Sequence, residues 1–295
     1  MAAAAGITMT ADIQTKAREL DYVSQFRHNA EGLMNILSVT NKIKKAPGTK
    51  MVLYTANVDL KVSPGEGEEV QFSKATLTES YTEALTIERY AKSVTIQAID
   101  EKGYDNAINK TDEEFRNKLL GKITDKLYEG LDKGTLSVSG ETLQKALAKG
   151  LGAVRNKFKM LDRTAGDIIA FVNINDFYEY LGDQPITTQT MFGMTYVEKY
   201  LGYSKIILCS DDEVASGKLY VTAANNLVLN YMDVANSEFT RAGFNYTVDS
   251  ETGIIGFCVD VDNKTATSET YAILGAAIWP EIADGIAKVT ITPSV

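Results

Sequence analysis

The chain has 295 residues, 44% apolar and 23% charged, which is enough to bury a core and far from the composition of a disordered polymer. Its net charge of −9 argues against general affinity for nucleic acid, and no apolar run reaches the ~20 residues needed to cross a bilayer. Met1 to Ile7 lacks both a basic segment and a long apolar one, so no secretory signal is expected and assembly should be cytoplasmic.

Residues 1–50 are basic, with Lys16, Arg18, Arg27, Lys42, Lys44, Lys45 and Lys50 against Asp12, Glu19, Asp21 and Glu31, whereas residues 209–295 carry four bases and twelve acids. A basic end and an acidic remainder suit a chain whose end lies across a neighbouring copy, and equally suit a solvated basic helix. Ile13, Ala17, Leu20, Val23, Phe26, Ala30, Leu33 and Leu37 recur at spacings of three and four and predict an amphipathic helix over 10–38. Lys42 to Gly48, with Pro47, breaks that pattern.

From Lys50 to Asp100 the period becomes two. Met51 to Tyr54 opens an extended run, Val58, Leu60 and Val62 alternate with Asp59 and Lys61, and Ser63-Pro64-Gly65-Glu66-Gly67 reads as a turn. A second extended stretch runs through Val70, Phe72, Leu77, Tyr81, Leu85 and Ile87, and a last strand is expected to carry Val94, Ile96, Ala98 and Asp100 on one side. The large apolar residues are too sparse here to make a core, so the segment needs an outside surface to lie on.

Thr111-Asp112-Glu113-Glu114 reads as a capping box opening a helix over 111–132, ~33 Å long, with Phe115, Leu119, Ile123, Leu127 and Leu131 inward. Lys118, Lys122 and Lys126 form a second stripe, read either as a solvated face or as a docking rail for an acidic partner. Ser139 is expected to cap the next helix, which turns Leu143, Leu147, Leu151, Val154 and Phe158 inward. Asp167 to Val172 reads as a buried strand leading into a helix with Phe177, Tyr180 and Leu181 packed. Strands are also expected at Ile206–Cys209, Ile254–Val261, Tyr271–Ile278 and Ile286–Ile291, and 217–221 is expected to pair with 227–229. This is α+β order, with no internal repeat.

Catalytic signatures are missing. The single histidine, His28, removes most His-based metal sites and argues strongly against a Ser-His-Asp set, and there is no phosphate-binding glycine loop or nucleophile elbow. Asp260 with Asp262, and Asp211-Asp212-Glu213, have the chemistry to hold a hard cation but not the spacing of a dedicated loop, and read as solvated carboxylates. Cys209 and Cys258 each sit alone in an apolar run and read as small buried hydrophobes. No cofactor and no metal is expected.

The order of elements resembles the major capsid proteins of tailed bacteriophages, the Hong Kong 97-type fold that encapsulin shells share. Gly65 to Lys74, leading to Ala91–Ile96 and Asp100-Glu101, is similar to the family's extended loop. Thr111 to Leu131 resembles its spine helix, and Ile168–Asn173 with Asp176, Phe177 and Leu181 the strand-to-helix step of its axial domain. Gly193–Val197 and Gly217–Val221 resemble the strands that follow. The resemblance implies an α+β fold with an N-terminal arm (1–49), an extended loop (50–102), a peripheral domain with the spine helix (103–138 and 246–295) and an axial domain (139–245).

It further implies a non-enzymatic virion protein that forms hexamers and pentamers of an icosahedral shell and encloses double-stranded DNA without sequence-specific binding. Scaffolding, portal and decoration proteins are its implied partners, and no membrane is. Residues 1–49 are too short for the cleaved scaffolding segment of some members, so a separate scaffolding protein, or none, is expected. No cross-linking role is carried over to Lys74, which lacks a matching Asn and Glu. Candidate inter-subunit contacts are Glu66, Glu68, Glu69, Lys74, Lys118, Lys122 and Lys126. An encapsulin-like compartment and an α+β enzyme working through carboxylates are the alternative readings.

Overall fold

The structure, a computed structural model of the chain, describes residues 7–8, 37–38, 40–46, 48–62, 65–67, 69–182, 196–198, 200–235, 237–250 and 252–292. The helix expected over 10–38, with His28, falls outside these residues except for Leu37 and Ser38, which are helical. The first strands are β1 (Ile7–Thr8), β2 (Asn41–Lys45), β3 (Lys50–Asp59), β4 (Lys74–Ala84) and β5 (Glu88–Thr95). Helices α1 (Ile96–Lys102) and α2 (Lys110–Leu131) follow, then β6 (Leu136–Gly140), α3 (Leu143–Met160), β7 (Ile168–Asn173) and α4 (Ile174–Gly182). The remainder is β8 (Tyr196–Glu198), β9 (Lys205–Cys209), β10 (Lys218–Ala223), β11 (Leu227–Met232), a short α5 (Ser237–Arg241), β12 (Thr247–Val248), β13 (Ile255–Asp262), β14 (Thr267–Leu274), β15 (Ala276–Pro280) and β16 (Ile286–Ile291).

These strands form a six-stranded sheet in the order β6-β16-β10-β7-β9-β8, a five-stranded sheet β1-β5-β14-β13-β12, a three-stranded sheet β15-β11-β2, and the separate hairpin β3-β4. All six residues of β7 are buried in the middle of the largest sheet. Because side chains alternate sides along a strand, Ile169 and Phe171 enter a core shared with α2, while Ile168, Ala170 and Val172 enter a second core under α3 and α4. Leu119, Ile123, Leu127 and Leu131 of α2 fill the first core as their four-residue spacing requires. At Gly130 the helix lies so close to β15 that a Cβ would stand 2.7 Å from the Ile278 carbonyl oxygen. Gly275 lets the chain pass from the five-stranded to the three-stranded sheet, where a Cβ would meet the Met232 Cβ at 2.9 Å.

Five local expectations are corrected. The strand carrying Val94 ends at Thr95, whose hydroxyl accepts from the Ala98 amide at 3.2 Å and caps α1. The cap overrides the apparent alternation, leaving Ile96 exposed and Ala98 buried. The capping box at Thr111 does not form, because a π-turn at Asp105–Asn109 runs directly into α2 and places Thr111 inside the helix. Its hydroxyl instead donates back to the Ala107 carbonyl at 2.7 Å. Ser139 lies in β6, and Thr142 caps α3 by accepting from the Lys145 amide at 3.3 Å. β10 and β11 do not pair, since β10 runs between β16 and β7 while β11 runs between β15 and β2. Residues 42–45, the first part of the segment read as a break, belong to β2, which runs parallel to β11.

Thr142→Ala should lower stability by about 1 kcal/mol, the usual cost of losing an N-cap, while Ser139→Ala should change nothing measurable. Urea midpoints of the two variants read the difference.

Candidate assembly surfaces

The hairpin β3-β4 stands apart from the three sheets. Its root is held by Met51 and Leu85, which bury against Met232, Val234, Ile273, Ala277 and Trp279. The Leu85 amide and carbonyl also bond to Thr49 and Gly48. Beyond an irregularity at Leu53/Tyr54 the register pairs Tyr54 with Glu79, Asn57 with Thr76, Val58 with Ala75 and Asp59 with Lys74. Directly paired residues share a face, so Tyr54, Val58 and Leu77 lie on one side and Asn57, Asp59, Lys74, Thr76 and Thr78 on the other. The apolar side is open: Tyr54, Val58 and Leu77 are all more than half exposed, and Leu60, Val62, Val70 and Phe72 continue the exposure to the tip, Phe72 at 94%. A two-stranded ribbon with this much bare apolar surface is marginal by itself in water.

Glu66 and Glu69 are exposed at the tip, Lys74 is exposed on the polar face, and Glu68 lies outside the described residues. On α2 the lysine stripe is divided. Lys118 and Lys122 are exposed, with Lys122 3.6 Å from Asp125, whereas Lys126 donates to Glu88 at 2.5 Å and ties the start of β5 to the helix. Burial alone would raise the Glu88 carboxyl, but the bonds from Lys126 and the Tyr90 hydroxyl, with the field of Lys126 and Lys122, hold it below the usual carboxylate range. Among the described residues no ion pair joins Glu66 or Glu69 to Lys118 or Lys122.

Two clusters that no local motif announces fasten α2 to the sheets. Arg116 donates to Asp249 at 2.8 Å, and the other Asp249 oxygen accepts from the Thr252 amide and hydroxyl, both at 2.9 Å. Lys92 of β5 meets Asp112 at 2.5 Å and Thr111 at 2.7 Å, and the Thr270 hydroxyl donates to Asp112 at 2.9 Å. Most of the other carboxylates singled out earlier are occupied by neighbouring amides. Asp211 accepts from Asn173 and Asn175, Glu213 from the Ser210 amide, and Asp262 from the Lys264 amide. Among the described residues no His, Cys, Asp and Glu set has the arrangement of a metal site. Cys209 is buried and accepts from the Tyr128 hydroxyl at 3.2 Å, while Cys258 is half-buried; both are free thiols.

No protein-family model matches the sequence, and neither does any curated protein. Solved shell structures do match the fold. The capsid of the cyanophage P-SCSP1u aligns at TM-score 0.60 and 11% identity over 95% of this chain and 93% of that one. The capsid of an empty GTA particle aligns at 0.61 and 8% identity over 94% and 93%. A virus-like particle from Pyrococcus furiosus aligns at 0.51 and 10% identity over 92% and 100%.

Proposed function

We propose that this chain, which has the Hong Kong 97-type α+β fold, is a major capsid protein that assembles as hexamers and pentamers into the icosahedral head shell of a tailed phage. The shell encloses double-stranded DNA without sequence-specific contacts, and scaffolding, portal and decoration proteins complete the particle. The observation that carries this is the hairpin, anchored at its root by Met51 and Leu85 and bare along one apolar face. A second copy supplies what it lacks, and a head-to-tail contact of this kind forms a ring when the rotation between copies closes. In this reading residues 1–49 are the arm, 50–102 the extended loop, 103–138 and 246–295 the peripheral domain, and 139–245 the axial domain. β16 then serves both units, running in the axial sheet between β6 and β10. Glu66, Glu68, Glu69 and Lys74 are the contacts of the loop, and Lys118 and Lys122 those of the helix flank, while Lys126 acts inside its own subunit.

Alignment with the virus-like particle from Pyrococcus furiosus, over 92% of this chain and 100% of that one, supports a second reading, a protein compartment without DNA. The purified chain, examined by sedimentation velocity and negative-stain electron microscopy at its highest soluble concentration, should give closed particles of uniform diameter. A chain that remains monomeric or dimeric overturns the shell reading. Particles purified from their native source with an ultraviolet spectrum of protein alone favour the compartment over the phage head.

A further inference from the structure

We propose that the solvent face of α3 is the surface that meets the phosphate backbone of double-stranded nucleic acid, and is therefore the face turned to the interior of the shell. The inference rests on the shell reading. In a chain of net charge −9, residues 143–160 carry Lys145, Lys149, Arg155, Lys157 and Lys159 and no acid. One face of α3 is spent on the core, through Leu143, Ala146, Leu147, Gly150, Val154 and Phe158. On the opposite side Ala148, Gly152 and Asn156, at four-residue spacing, form a low exposed ridge, and nothing lies within 4 Å of where a Gly152 Cβ would be. Helical geometry places Lys145 and Lys149 along one flank of that ridge and Arg155 and Lys159 along the other.

The charges are mostly uncompensated. Lys145 pairs with Glu141, and Lys157, half-buried at the edge, pairs with Asp284. Lys149 donates to the Ser139 carbonyl at 2.9 Å, and among the described residues no carboxylate lies within ion-pair distance of Lys149, Arg155 or Lys159. These three cations span ~15 Å of helix. A duplex carries one charge per ~1.7 Å of axis, so a rod lying on this ridge meets several phosphates at once. The chemistry favours a phosphate backbone over an acidic protein because the face between Lys145 and Lys159 exposes no large apolar side chain, and the exposed Met160 that ends the ridge stands at its edge and not at its centre. A protein interface needs such an anchor at its centre, whereas binding by counterion release needs only charge and access.

The test uses the full chain as unassembled subunits and a 30-base-pair duplex, with affinity read by fluorescence anisotropy from 50 to 200 mM salt. Neutralising Lys149, Arg155 and Lys159 to Gln should flatten the log–log salt slope by ~2.7, so that intact protein loses ~40-fold more affinity over that range than the variant. Neutralising three exposed cations elsewhere, Lys42, Lys218 and Lys264, should leave the slope unchanged. Equal slopes for the intact chain and the α3 variant overturn the proposal, and so does an equal flattening by the control set, which would make net charge the only variable. Poly-glutamate that binds the face as tightly as the duplex also overturns it and assigns the ridge to an acidic polypeptide. Electron microscopy of the same α3 variant separates the two levels: shells that form normally but take up less nucleic acid support the inference, while failure of the intact chain to form any shell overturns the reading beneath it.

Discussion

A chain in which residues 60–73 are replaced by Asn-Gly is expected to fold with the thermal stability of the intact protein and to form no closed shells. Among the described residues none of those replaced belongs to a buried core, and the hairpin enters the cores through Met51 and Leu85 at the root. Asp59 and Lys74 face each other across the ladder, so a two-residue turn can close the shortened ribbon without shifting its register. The same residues include Leu60, Val62, Val70 and Phe72, all strongly exposed in the isolated subunit. Burying such side chains against a neighbour is worth about 1.5–3 kcal/mol each. Losing four of them outweighs many times over the ~1.4 kcal/mol that changes an association constant tenfold. Sedimentation velocity and electron microscopy should therefore show only small species while circular dichroism and the melting curve stay as they were. Normal shells from the shortened chain would refute the role given to the hairpin.

Asp249→Ala is expected to be the most damaging single change in the polar framework. The Asp249 side chain is 4% exposed and satisfies Arg116 of α2 as well as two donors of Thr252. Removing one partner of a buried pair strands the other, at a cost of about 3 kcal/mol, read as a lower urea midpoint. Replacing Arg116 and Asp249 together by Met and Leu should recover part of that loss, because no buried charge is then left alone. The pair also has a pH signature. Burial by itself raises the Asp249 carboxyl, but the Thr252 amide, the Arg116 guanidinium and the Thr252 hydroxyl outweigh it and hold the carboxyl below its usual value. A carboxyl depressed on folding contributes stability that is present above the unfolded value, about 4, and lost as pH falls through the lower folded value. The gap between intact protein and Asp249→Ala should accordingly be widest near neutrality and shrink as pH drops below about 4.

The lysines of α2 illustrate how far local pattern reaches. Their four-residue spacing puts Lys118, Lys122 and Lys126 on one flank, and the choice between a solvated face and a docking rail cannot be made from spacing. The fold gives Lys126 to Glu88, which arrives from the start of a strand 38 residues earlier, and leaves Lys118 and Lys122 exposed. The basic ridge of α3 is legible as composition, but not as a face, until Glu141, Ser139 and Asp284 are seen to engage Lys145, Lys149 and Lys157 and nothing engages Arg155 or Lys159 with a carboxylate among the described residues. Thr111 and Ser139 show the converse error. Each has the residue type of a cap, but the π-turn before Lys110 and the pairing of β6 with β16 decide where the helices begin.

By itself the sequence determined the α+β order, the inward stripes of α2 and α3, the buried run of β7 and the hairpin too poor in large apolar residues to make a core. Each of these follows from periodicity or composition within a window of some twenty residues, where backbone geometry dictates which side chains share a face. Only the tertiary structure decided that β10 and β11 belong to different sheets, that Asn41–Lys45 is a strand beside β11, and that Asp249 anchors Arg116 from 133 residues away. Strand partners and buried ion pairs are chosen by packing and by the need to satisfy every buried donor and acceptor, and those are properties of the whole chain once folded.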